Sequence, residues 1–158
     1  MTQGKERHLG VISDTHGLLR PQVVEALRGV ELILHAGDVG APGILEDLRR
    51  IAPVIAVRGN VDVDSWARRL PETELIEVAG VSVFMLHNLA ELDLDPKAAA
   101  IRVVVFGHSH RGEATMKDSV LYLNPGAAGP RRFSLPVSVA RLTITGGAVH
   151  HEILTLDC

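Results

Sequence analysis

From residue 103 the chain reads VVVFGHSHRGE: an apolar run, a glycine, then His108 and His110 separated by one serine. On an extended chain residues i and i+2 point to the same side, so the two imidazoles face one place. Other residues able to do chemistry stand in matching surroundings. Asp14 and His16 lie in SDTHG after the run HLGVIS, Asp38 in HAGDVG at the end of ELILHA, and Asn60 and Asp62 in RGNVD at the end of PVIAVR. His87 closes VSVFMLHN.

This is a set of carboxylates, an amide oxygen and imidazoles, with no thiolate. Such donors suit Mn²⁺, Fe, Ni or Zn²⁺ better than Cu(I), and repeated imidazoles argue against Ca²⁺ or Mg²⁺. Leaving Asp62 aside, the seven donors are too many for one ion and enough for two if one carboxylate is shared. Two ions roughly 3.5–4 Å apart can clamp a phosphoryl group and hold a hydroxide as nucleophile. Each fragment alone has a plainer reading, because Asp and Gly favour turns and helix caps, and the alternative is a self-satisfied polar cluster.

The elements that must position these residues are short apolar runs alternating with periodic mixed segments, the pattern of a layered α/β domain. Residues 8–13, 31–36, 53–58 and 101–106 are predicted strands, rich in Val and Ile. PQVVEALRG and PGILEDLRRI are predicted helices that start on Pro21 and Pro42, the first stopped by Gly29. LIEVAGVSVFML turns at Ala79-Gly80, and VARLTITGGAVHHEIL contains a Gly-Gly pair, which predicts two antiparallel hairpins. We therefore expect a mixed sheet and a second, more antiparallel one. The donors fall at strand ends, where open α/β sheets bind ligands.

Composition narrows the rest. With 158 residues and 46% hydrophobic content the chain is expected to be a single domain over residues 1–158. A formal charge of −3 and scattered Lys and Arg argue against an extended nucleic-acid surface or an anionic membrane, so phosphate binding has to be local. No run is long enough to span a bilayer, and the single Cys158 fits a reducing, cytoplasmic setting.

The ordered series DTH, GD, GN, H and GHSH, followed by NPGA at Asn124 to Ala127, resembles the calcineurin-like metallophosphoesterase superfamily, in particular its small single-domain phosphodiesterase branch. The resemblance runs from Asp14 to about Arg131. It implies a four-layer α/β/β/α sandwich, two mixed sheets flanked by helices. It also implies that Asp14, His16 and His110 hold one divalent metal and Asn60, His87 and His108 a second, with Asp38 bridging. Asp38, Asn60 and His108 then stand where catalysis occurs. The activity implied is hydrolysis of a small phosphodiester by a hydroxide between two divalent metals, Mn²⁺ foremost. A phosphomonoesterase with the same site is the nearest alternative, and a non-catalytic scaffold like the retromer subunit of this fold is the alternative from another class. Homo-oligomerisation stays open.

Two departures from the family pattern bear on chemistry. Where many relatives read G-N-H-[DE], with a histidine beside the leaving oxygen, this chain has Val61, and His87 is followed by Asn88 rather than by Gly-His. Asp62 is a candidate for orienting the Asn60 loop. Arg131 and Arg132 in GPRR are candidates for reaching a phosphate. His35 reads as a packed strand histidine, and His8, His150 and His151 receive no role.

Overall fold

The structure, a computed structural model, describes residues 6–158, and its ten strands form two five-stranded sheets. In the first, β1 (Arg7–Ile12), β2 (Leu32–His35) and β3 (Val54–Ala56) pair in parallel. The crossovers between them carry α1 (Pro21–Ala26) and α2 (Pro42–Arg49). Both helices begin on proline, whose missing N–H would have had no partner in a first turn.

The second sheet contains β4 (Thr73–Val78), β5 (Val81–Leu86), β6 (Val103–Val105), β7 (Glu113–Lys117) and β8 (Val120–Asn124), in the order β4-β5-β6-β8-β7. The β4–β5 hairpin turns at Ala79 and Gly80, both in the left-handed region with φ 49° and 81°, as a two-residue turn between right-twisting strands requires.

The last hairpin, β9 (Val137–Thr145) and β10 (Ala148–Leu156), forms where the Gly-Gly pair predicts. Its location corrects one expectation. β9 pairs antiparallel with β1, so the hairpin extends the first sheet, and each sheet has two parallel and two antiparallel junctions. The physical reason is that β9 is apolar on both faces: Val137 and Val139 pack under the helices, while Ala140, Leu142 and Ile144 pack between the sheets. Such a strand is best satisfied inside a sandwich, and a local turn signal carries no information about that distant partner.

Three apolar layers hold the stack. Leu9, Val11, Val83, Met85, Val103 and Val105 meet between the sheets, and Ile12, Val23, Leu27, Ile33, Ile44 and Leu48 join the first sheet to α1 and α2. Each such side chain, fully buried, contributes about 1.5–3 kcal/mol. Strand alternation sends Phe84, Leu86, Val104 and Phe106 to the outer face of the second sheet. There the fourth layer is thin: the cover includes Leu89 and Leu92 from the 3₁₀ turn Leu89–Glu91 and the segment after it. No helix among the described residues is long and apolar enough to cross a membrane.

Candidate metal centre

The loops that leave β1, β2, β3, β5 and β6 are stitched together by backbone hydrogen bonds. Asp14 N–H donates to Gly37 O (2.9 Å), His16 N–H to Asp38 O (2.9 Å), and Gly107 N–H to His87 O (2.9 Å). This brings donors from distant parts of the sequence to one place. Asp14, His16 and His110 each offer a ligand atom within 4.8 Å of the others, and so do Asp14, Asp38 and His87. Asn60 and His108 form an adjacent pair, Nδ1 of His108 lying 3.2 Å from Oδ1 of Asn60, with the His108 ring edge-on to His87 at 5.2 Å between centroids.

Asp38 stands between the two expected sets. Its Oδ2 is 3.1 Å from His87 Nε2 and 3.6 Å from His16 Nε2. Asp14 leans towards the first set, with Oδ1 3.3 Å from His110 Nε2 and 3.5 Å from His16 Nε2, and 3.9 Å from His87 Nε2. By geometry Asp14 is therefore shared as well, a feature absent from the expected ligand scheme.

The arrangement fits a bound cation on grounds internal to the chain. Asp14 Oδ2 accepts from the Ser13 hydroxyl (2.7 Å) and from His108 N–H (3.1 Å), while its Oδ1 is buried with no hydrogen bond. His87 Nδ1 faces the Ala36 carbonyl at 2.8 Å, which requires a proton on that nitrogen. Its Nε2 then carries a lone pair when the ring is neutral, and it is buried without a directed hydrogen bond opposite the Asp38 carboxylate. Orphaned buried polar atoms are costly, and a cation in the gap satisfies both.

Without a cation, protons do part of this work. Burial disfavours a charged His87, but the adjoining Asp38 carboxylate and the Asp14 charge outweigh it and raise its pKa. Burial likewise pushes Asp38 upward, yet the adjoining His87 ring, the Val61 N–H and the His16 imidazole prevail and hold it at about 2. The carboxylate is ionised and ready for a cation.

Backbone strain is concentrated on the same residues. Asp14, His16, Asp38, His108 and His110 have φ between 46° and 74°, a region that side chains rarely adopt. Such conformations cost of order 1–3 kcal/mol each and persist where the surroundings over-determine them. Two glycines provide room for the convergence: a Cβ on Gly59 would collide with Asp38, and one on Gly107 with Ser13 and Asp14.

Outside the donors, Asp62 is a clamp. It is buried and accepts from Gly59 N–H (2.9 Å), Val39 N–H (3.1 Å) and Gly40 N–H (3.0 Å), tying the Asn60 loop to the Asp38 loop. His35 is packed, as expected, and is also a strut. Its Nδ1 accepts from Gly37 N–H (3.1 Å), so Nε2 carries the proton and donates to Thr15 Oγ1 (2.9 Å), whose hydroxyl donates to Val39 O (2.9 Å). Sequence reasoning missed the part played by Asn124. Its side-chain N–H groups reach Gly107 O (3.1 Å) and Ser109 Oγ (3.0 Å), bracing the loop that bears both histidines. The Asn-Pro-Gly turn at a strand end was the available signal. Arg131 and Arg132 are exposed; the charge of Arg132 is felt at His110, whose pKa is lowered first by burial and further by that guanidinium. His8, His150 and His151 lie within β1 and β10 rather than at their site-facing ends.

Comparison with known proteins agrees with this geometry. A probable metallophosphoesterase of Methanothermobacter thermautotrophicus is 35% identical over 161 residues, covering 92% of this chain and 91% of that protein. A phosphodiesterase of Methanocaldococcus jannaschii is 28% identical over 137 residues, covering 75% of this chain and 82% of the relative. Among solved structures, vacuolar protein sorting 29 from Cryptosporidium parvum superposes with a TM-score of 0.77 at 19% identity, covering 94% of this chain and 97% of that one, a likeness of fold. The profile of the calcineurin-like phosphoesterase superfamily domain matches residues 8–147, and the chain belongs to that superfamily.

Proposed function

We propose that the chain is a metal-dependent phosphodiesterase with two divalent ions, Mn²⁺ the preferred one, divided as the resemblance implies and sharing Asp38. The observation that carries this reading is Asp38 Oδ2, placed between His16 and His87 beside orphaned lone pairs on Asp14 and His87. Bound divalent ions would supply the Lewis acidity that activates a water for in-line attack on phosphorus and stabilises the charge developing on its oxygens.

The chain's own residues set the stage for that attack. Ser13 and the His108 N–H hold one oxygen of Asp14 and leave the other for a ligand. The Ala36 carbonyl fixes the His87 tautomer, and Asp62 holds the Asp38 and Asn60 loops in register. The Val61 side chain, 44% exposed, offers no proton to a departing oxygen, which suits diesters with good leaving groups. The relative named as a phosphodiesterase supports a diester over a monoester. The vacuolar protein sorting neighbour favours a scaffold reading, but it shares fold alone, and the donor set here is complete.

The test is reconstitution with Mn²⁺, elemental analysis, and an assay on bis-p-nitrophenyl phosphate. About two ions per chain and metal-dependent release of nitrophenol are expected. One ion or none at saturating metal, or no hydrolysis, overturns the reading.

A further inference from the structure

A cavity of about 450 Å³ lies between α2 and the 3₁₀ helix Ser65–Arg69, and none of the metal-centre donors lines it. Pro42, Leu45 and Leu70 make part of its surface apolar. Trp66, the single tryptophan of the chain, packs against the core beneath α2 and also lines the cavity, so its indole is held in place yet stays accessible. The charged lining residues are Glu46, Arg49 and Arg69, all exposed.

These charges are not spent on one another. Glu46 stands three residues before Arg49 on α2, the spacing at which Glu25 holds Arg28 (2.7 Å) and Asp47 reaches Arg50 (3.8 Å). Among the described residues, however, Glu46, Arg49 and Arg69 form no ion pair. Two guanidiniums and one carboxylate leave the lining net positive. The two walls are also tied together, because Asp62 accepts from Gly40 N–H, just before α2, and from Gly59 N–H, on the loop that leads to the 3₁₀ helix. A cavity braced in this way needs little ordering to receive a ligand.

Independently of the phosphodiesterase reading, we propose that this cavity binds a purine nucleoside monophosphate. The base stacks on Trp66, the phosphate is held by Arg49 and Arg69, and Glu46 accepts from the exocyclic amino group of the base. An indole is a stacking platform for a planar ring, and guanidiniums match phosphate oxygens in geometry and charge. The volume falls in the range of small-molecule pockets.

The lone tryptophan reports on the site directly. Titration of the Mn²⁺-loaded full chain with adenosine 5′-monophosphate should quench its fluorescence saturably, with a Kd below about 1 mM. Adenosine and ribose 5-phosphate, each lacking one half of the ligand, should bind at least about tenfold more weakly. The Arg49→Ala, Arg69→Ala double variant should lose at least about tenfold in affinity, and calorimetry should show a similar loss in Trp66→Leu. Asp38→Asn, altered at the metal centre, should bind the nucleotide as the unmodified protein does. Absence of saturable quenching, affinity unchanged in the double arginine variant, or equal binding of adenosine or ribose 5-phosphate overturns the proposal. Binding lost in Asp38→Asn overturns it too, since the nucleotide would then sit on the metals.

Discussion

The backbone N–H of Val61 donates a 3.0 Å hydrogen bond to Oδ1 of Asp38, while the Val61 side chain takes no part in that bond and is 44% exposed. The peptide group does the positioning, and any residue but proline could supply it. The side chain is thus free to be exchanged without moving the carboxylate, which makes the missing acid testable.

With no acid at that position, kcat/KM should fall steeply as the leaving group becomes more basic, aryl diesters reacting readily and alkyl diesters slowly. Val61→His should flatten the dependence. A series of diesters of graded leaving-group pKa, run with both proteins at constant Mn²⁺, measures it. A shallow slope in the unmodified protein with chemistry rate-limiting means that another group supplies the proton.

Asp38→Asn removes a charge that faces both histidine sets, and activity should drop at least about a hundredfold with loss of metal. Arg132, exposed and felt at His110, should cost less than about tenfold as Arg132→Ala. Similar losses in the two variants would contradict this ranking.

Gly59→Ala places a methyl group against Asp38 and should weaken metal binding by at least about tenfold while leaving the circular dichroism spectrum intact. Gly43→Ala is the matched control, since a Cβ at Gly43 in α2 meets nothing within 4 Å. Equal metal affinity in the Gly59 and Gly43 variants would show that the contact is relieved at no cost.

His35 has a pKa lowered by burial, with further repulsion from His87, from 6.5 to about 3. Between those values the unfolded chain takes up a proton that the folded chain refuses. The contribution of His35 is therefore complete above pH 6.5 and fades as pH falls, by up to about 1.4 kcal/mol per pH unit. Urea unfolding of the metal-free protein from pH 6.5 to 4.5 should show this slope, and His35→Gln should lessen it by about one proton. An unchanged slope would mean that His35 is protonated in the fold.

How far the sequence could be read depended on whether a signal was local. The strand ends were visible because an apolar run followed by Gly-Asp or Gly-His is a short pattern, and the two hairpins because Ala79-Gly80 and Gly146-Gly147 announce their turns. The partner of β9 was not visible: its pairing with β1 joins residues more than a hundred positions apart, and neither segment names the other. Asp62 was weighed as a candidate, yet two of its three backbone donors, Val39 and Gly40, stand on a loop that only the fold brings to it. The thin outer layer was hidden for a similar reason, since Leu89 and Leu92 cover the second sheet without helical periodicity.

That distant pairing also sets a schedule. During synthesis the strand leading to Asp14 emerges early, and its neighbour β9 spans Val137–Thr145. Until β9 arrives, β1 has β2 on one side and an open edge on the other, and long-range strand pairing of this kind is slow. The donors at Asp14 and His16 thus wait, on a half-built sheet, for a segment made long after them. Metal loading is therefore expected to follow the pairing of β9 with β1.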